Sequence, residues 1–112
     1  MPQAQALTEF SEEEQIFRAT VREFTEEKLA PLVAEMDREA KLAPRVLSWL
    51  FELGLMGIEV PEQYGGAGAT FFMSILAIEE LARVDPAVAV VCDVQNTLCV
   101  TALLRWGNDA QK

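Results

Sequence analysis

Histidine is absent from this 112-residue chain, which carries only two cysteines, and nine lysines and arginines against eighteen aspartates and glutamates. Without histidine, a Ser-His-Asp hydrolase, a Cys-His protease and any histidine-ligated metal site are excluded within these residues. Two cysteines cannot staple a disulfide scaffold. A formal net charge of −9 argues against nucleic acid as a partner, because that binding depends on lysine and arginine replacing phosphate counterions. The opening Met1-Pro2-Gln3-Ala4-Gln5-Ala6-Leu7 has no basic segment leading into an apolar core, and it lacks the Arg/Ser-rich look of a transit peptide. A cytoplasmic protein, or a mature chain whose presequence is gone, is the expectation.

What is abundant is apolar surface: 51% of residues are hydrophobic and 24% charged, too hydrophobic for a disordered chain and enough for one domain. From Pro86 to Leu104 the only charge is Asp93. A membrane-spanning helix needs about 20 predominantly apolar residues, but here Asp93, Gln95, Asn96 and Thr97 fall at the middle, where polar groups cost most. A buried helix and no membrane span are expected.

Punctuation divides the chain into four helical segments. Ser11 and Glu14 have the S-x-x-E spacing of a capping box, and Glu12 to Glu14 oppose the helix dipole. Phe17, Val21 and Phe24 come next at helical spacing, leaving the acidic run from Glu9 to Glu39 as a solvated face. Pro31 predicts a kink near Ala30 or a stop and restart there. A second helix is expected from Pro44 to a glycine cap at Gly54. Residues 55–69 hold four of the six glycines and read as an ordered loop. A third helix is expected over Thr70 to Val84, and a fourth opens at Asp85-Pro86 and reaches Trp106 before Gly107. The fourth is apolar nearly all round, more than four short segments can cover, and Asn108 or Asp109 looks like the cap of another helix. An incomplete all-α, bundle-like domain is therefore expected.

The segment from Gly54 to Gly68, GLMGIEVPEQYGGAG, with Ile78-Glu79-Glu80-Leu81-Ala82-Arg83-Val84-Asp85 after it, closely resembles the N-terminal helical domain of acyl-CoA dehydrogenases. The Ser11 helix, the Ala30-Pro31 break and the closing Trp106-Gly107-Asn108-Asp109-Ala110-Gln111-Lys112 share the likeness, which covers about Leu7 to Lys112. Asp85 to Val90 with Gln95-Asn96-Thr97-Leu98 looks most like the short/branched-chain members. The resemblance implies FAD-dependent α,β-dehydrogenation of a short or branched acyl-CoA. It also implies transfer of electrons to an electron-transferring flavoprotein, a homotetramer when full length, and a mitochondrial matrix location if a presequence has been removed. Residues 1–112 would be the N-terminal domain alone. The middle β-domain and C-terminal helical domain, with the catalytic glutamate and most flavin contacts, are absent from this sequence, so no residue here is assigned a catalytic, cofactor-binding or metal role.

On the fourth helix Ala89, Asp93, Asn96, Thr97 and Val100 form a partly polar stripe at helical spacing. The resemblance makes Ala89, Val90, Asp93 and Thr97 expected lining residues at the acyl-chain end of the substrate cavity. The competing expectation is that Asp93 and Asn96 satisfy buried backbone. The glycine loop meets neither nucleotide-binding spacing and reads as a turn. Adjacent Glu79 and Glu80 point about 100° apart on a helix, which suits an exposed charge and an inter-helix partner. Cys92 and Cys99, about 10 Å apart on one face, are expected to be buried small hydrophobes that form no disulfide. Trp49 and Trp106 are expected in the core. The alternative to the enzyme fragment is a non-catalytic helical interaction domain of the same fold.

Overall fold

A computed structural model describes Ala4 and residues 6–112. Met1, Pro2, Gln3 and Gln5, part of the stretch read for a leader, lie outside the described residues. Helix α1 spans Glu12–Phe24, and its start is the expected capping box. The Glu14 amide donates to Ser11 Oγ at 3.1 Å, and the Ser11 amide donates to Glu14 Oε1 at 2.8 Å. Beyond Phe24 the rod does not stop and restart. A wide π turn at Thr25–Leu29 and a 3-10 turn at Ala30–Leu32 carry it into α2, Val33–Glu39. These turns re-route the ladder around Pro31, which has no N–H to give. The α2 terminus adopts a glycine-type cap on an alanine, with Ala40 at φ +50° and the Lys41 amide donating to the Met36 carbonyl at 3.2 Å.

Helix α3, Pro44–Glu52, opens on Pro44 and ends as expected at Gly54 in the left-handed region (φ +77°). There the Leu55 amide reaches the Leu50 carbonyl and the Gly54 amide reaches Phe51, each at 3.0 Å. This is a Schellman cap with two core leucines in contact positions. The next loop folds on itself: the amides of Ala67, Gly68 and Ala69 donate to the carbonyls of Gly57, Val60 and Ile58 at 2.8–3.0 Å. Gly66 is required at this crossing, since any Cβ would overlap the Val60 backbone.

Helix α4, Phe71–Val84, is capped by Thr70, whose hydroxyl accepts from the Met73 amide at 3.2 Å. Asp85 alone separates it from α5, Pro86–Val94, and caps that helix through the Ala87 amide at 2.9 Å. The expected fourth helix runs to Trp106 as one rod, with a change of winding inside it. A second π turn, Gln95–Val100, lies between α5 and α6, Thr101–Trp106. After Gly107, Asn108 and Gln111 exchange the amide-to-side-chain bonds of another capping box.

The fold is all-α, with no strand among the described residues. Its core joins Val21, Phe24 and Leu29 to Val46 and Leu50, to Leu55 and Ile58 of the loop, and to Leu81, Val88 and Cys92. Trp49 packs on it as expected, edge-on to Phe24 with ring centroids 6.2 Å apart. Two expectations fail at the far end: Cys99 is exposed and Trp106 is 78% exposed. No residue of α6 is buried, which accounts for Trp106, and the π turn accounts for Cys99. One residue inserted in a turn offsets everything beyond it by about 100°, so residues that an uninterrupted helix would stack on the Cys92 face are turned away. Nor is the fourth rod buried within this chain. Pro86–Trp106 is long and apolar enough to cross a membrane, and only 22% of its most apolar stretch is covered. The second half of the expectation, more apolar surface than four segments can enclose, is what the fold displays.

Candidate functional site

The α5 stripe is not one open wall. Ala89 is 3% exposed and belongs to the core, whereas its neighbour Val90 is 58% exposed. Asp93 and Thr97 are half-buried one turn apart. The Thr97 hydroxyl donates to the Asp93 carbonyl at 2.8 Å and lies 3.4 Å from its carboxylate. Val90, Val91, Val94 and Cys99 of this rod face Leu47 and Phe51 of α3 across an apolar groove of about 430 Å³, floored by Met56. Of the four expected lining residues, Val90 enters this groove, Asp93 and Thr97 are joined to each other, and Ala89 turns inward.

Asn96 meets the competing expectation of buried-backbone satisfaction. Its Nδ2 donates to the carbonyls of Leu55 and Cys92, both at 2.8 Å, and its Oδ1 accepts from the Ile58 amide at 2.9 Å. Only one orientation of the carboxamide gives two carbonyls a donor and an amide an acceptor. The Cys92 thiol also donates to Leu55, at 3.2 Å. Burial pushes this thiol up to about 11, against a smaller opposing pull from Asn96.

A second polar cluster lies between α1 and α4. Glu80 is 2% exposed and is gripped by Arg18 Nε at 3.0 Å, by Arg22 through Nε at 3.0 Å and Nη2 at 2.8 Å, and by Arg83 Nε at 3.5 Å. The Arg22 hydrogen bonds hold its carboxyl below the usual range against desolvation, and Glu80 in turn raises Arg22. Glu79 is exposed, so the two glutamates divide as expected. The three arginine partners go beyond the sequence expectation; spacing within α1 alone, Arg18 and Arg22 one turn apart, was the available signal. The Asn96 staple was legible only as an amide in an apolar helix.

These features define a helical module that spends its polar side chains on internal fastening and leaves one apolar rod outward. Residues 11–112 match the family model described as acyl-CoA dehydrogenase, N-terminal domain, and the chain belongs to that family. It is 46% identical over 111 residues to the short/branched chain specific acyl-CoA dehydrogenase, mitochondrial, of Bos taurus, a match that covers 99% of this chain and 26% of that protein. Among solved structures it is similar to butyryl-CoA dehydrogenase of Megasphaera elsdenii, with a TM-score of 0.85 at 33% identity over 92% of this chain and 28% of that one. A chain from a structure of the electron transferring flavoprotein of Acidaminococcus fermentans gives 0.88, also at 33% identity, over 92% of this chain and 27% of that one. The chain thus spans about a quarter of the length of the curated relatives it matches.

Proposed function

We propose that this chain is the amino-terminal helical part of an acyl-CoA dehydrogenase that introduces an α,β double bond into short or branched acyl-CoA thioesters. The observation that carries the reading is the 46% identity to a short/branched-chain enzyme over 99% of the chain. FAD would serve as hydride acceptor and an electron-transferring flavoprotein as the next carrier, in a homotetramer in the mitochondrial matrix or bacterial cytoplasm. Two features that could hold a phosphate are already committed within the chain. The loop amides of Gly65 to Ala69 are bonded to loop carbonyls, and Arg18, Arg22 and Arg83 are committed to carboxylates. The family resemblance assigns the catalytic base and most flavin contacts to other parts of the enzyme.

The part assigned to these residues is selection of the acyl chain. Val90, Asp93 and Thr97 form a wall at the end of the acyl cavity, which excludes water and limits how many methylenes fit, while Ala89 packs behind them in the core. One methylene in such a cavity changes specificity by roughly 10–200-fold. Val90 is the cleaner probe, because enlarging buried Ala89 would also overpack the core. In the full-length enzyme, Val90→Phe should shift kcat/KM toward shorter acyl-CoA by at least about tenfold. Steady-state rates on butanoyl-, hexanoyl- and octanoyl-CoA provide the measurement, and an unchanged ratio would remove Val90 from the wall.

A further inference from the structure

Asn96 is 3% exposed in the middle of the chain's most apolar rod, and it bonds across to the loop after α3. Two of its main-chain partners, Leu55 and Ile58, lie in that loop, and the third, Cys92, lies one turn back on α5. The Cys92 carbonyl lies on the last turn of α5, directly before the π turn in which Asn96 itself sits. At the other end of the turn the Thr101 hydroxyl donates to the Asn96 carbonyl at 3.0 Å. The turn is thus fastened at both ends by side chains, and its rotation is referred to a fixed point on the loop.

We infer that Asn96 is a positioning residue for acyl-chain selection: by stapling the π turn to Leu55 and Ile58 it fixes the rotation of α5, and with it the depth at which Val90, Asp93 and Thr97 meet the substrate. The inference rests on the wall assignment proposed above. Its physical basis is the three bonds by which Asn96 ties the C-terminal end of α5, one turn beyond Val90, to the backbone of the loop. Removing the staple leaves the Ile58 amide without its partner and the Leu55 carbonyl with the weak Cys92 thiol donor alone, which favours rearrangement of the turn over its preservation.

The test uses the full-length enzyme carrying these residues. Asn96→Leu keeps the branched shape and removes all three bonds, Asn96→Asp keeps an acceptor for Ile58 and removes the donors, and Thr101→Val unfastens the far end. Dissociation constants of S-butyl-, S-hexyl- and S-octyl-CoA thioethers by titration calorimetry, and kcat/KM for the matching acyl-CoA esters, report chain selection. A role confined to stability would lower the melting temperature and leave these ratios alone. The expected result is a change of at least tenfold in the butyl-to-octyl ratio for Asn96→Leu, with a smaller change of the same sign for Asn96→Asp and Thr101→Val. If Asn96→Leu does not fold, the other two variants carry the test. Unchanged ratios in the folded variants, beside a shifted ratio in Val90→Phe, overturn the positioning role and leave the wall reading standing. No effect in Val90→Phe, or a parent enzyme inactive on every acyl-CoA, overturns the wall reading and the inference with it.

Discussion

Cys92 and Cys99 have the same side chain on the same rod, yet the fold gives them opposite chemistry. Cys92 is fully buried, donates to the Leu55 carbonyl, and is held as a thiol by a value near 11, whereas Cys99 lies at the exposed edge of the α3–α5 groove. Only the thiolate is a competent nucleophile, and access sets the remainder of the rate. In the 112-residue chain at pH 8, a disulfide reagent should therefore consume one thiol rapidly and the second only after denaturant is added. Two fast equivalents in the native chain would show that the π turn does not separate the two faces.

At the scale of elements, the join between α1 and α4 is a carboxylate held by arginines from both helices. Glu80 lies below its ordinary range in the folded chain and near 4.3 when unfolded. A carboxyl lowered in this way contributes its full stabilisation above the unfolded value and loses it as the pH falls through the folded one. Glu80→Gln should cost about 1–2 kcal/mol near neutral pH, the scale of a charged hydrogen bond with partly exposed partners. The gap in urea midpoint between parent and variant should narrow between pH 6 and pH 3, and a gap independent of pH would contradict the clasp. The helix ends were legible in the sequence because their signals are local: Ser11 with Glu14, Gly54, Thr70, and Asp85 with Pro86 each act within a few residues. The π turn was not, because Asn96 meets partners about forty positions away whose place depends on the folded loop. For the same reason spacing could list Ala89, Asp93 and Thr97 on one stripe, while the inward turn of Ala89 emerged only with the packing.

For the molecule as a whole, the extents are 50 × 38 × 18 Å and the radius of gyration is 15.2 Å, against about 13 Å for a compact domain of this length. Helix axes pack about 8–10 Å apart and Cα atoms lie about 2.3 Å from each axis, so the slab holds about two helix layers and leaves faces uncovered. Val90, Leu98, Leu103 and Trp106 are 49–78% exposed along one rod, more apolar surface than a monomer ordinarily shows. Sedimentation velocity on the isolated 112-residue chain should give a mass that rises with concentration, and Leu98→Glu with Trp106→Glu should reduce it. A constant monomer mass across the series would contradict this. The single residue Asp85 that ends α4 and begins α5 adds a constraint on how such a sequence can drift. With no spare residue at the joint, an insertion or deletion there would screw α5 about its own axis and exchange the inward Ala89 and Cys92 for the outward Val90. A one-residue insertion or deletion at this corner should therefore damage the fold far more than one in a surface loop.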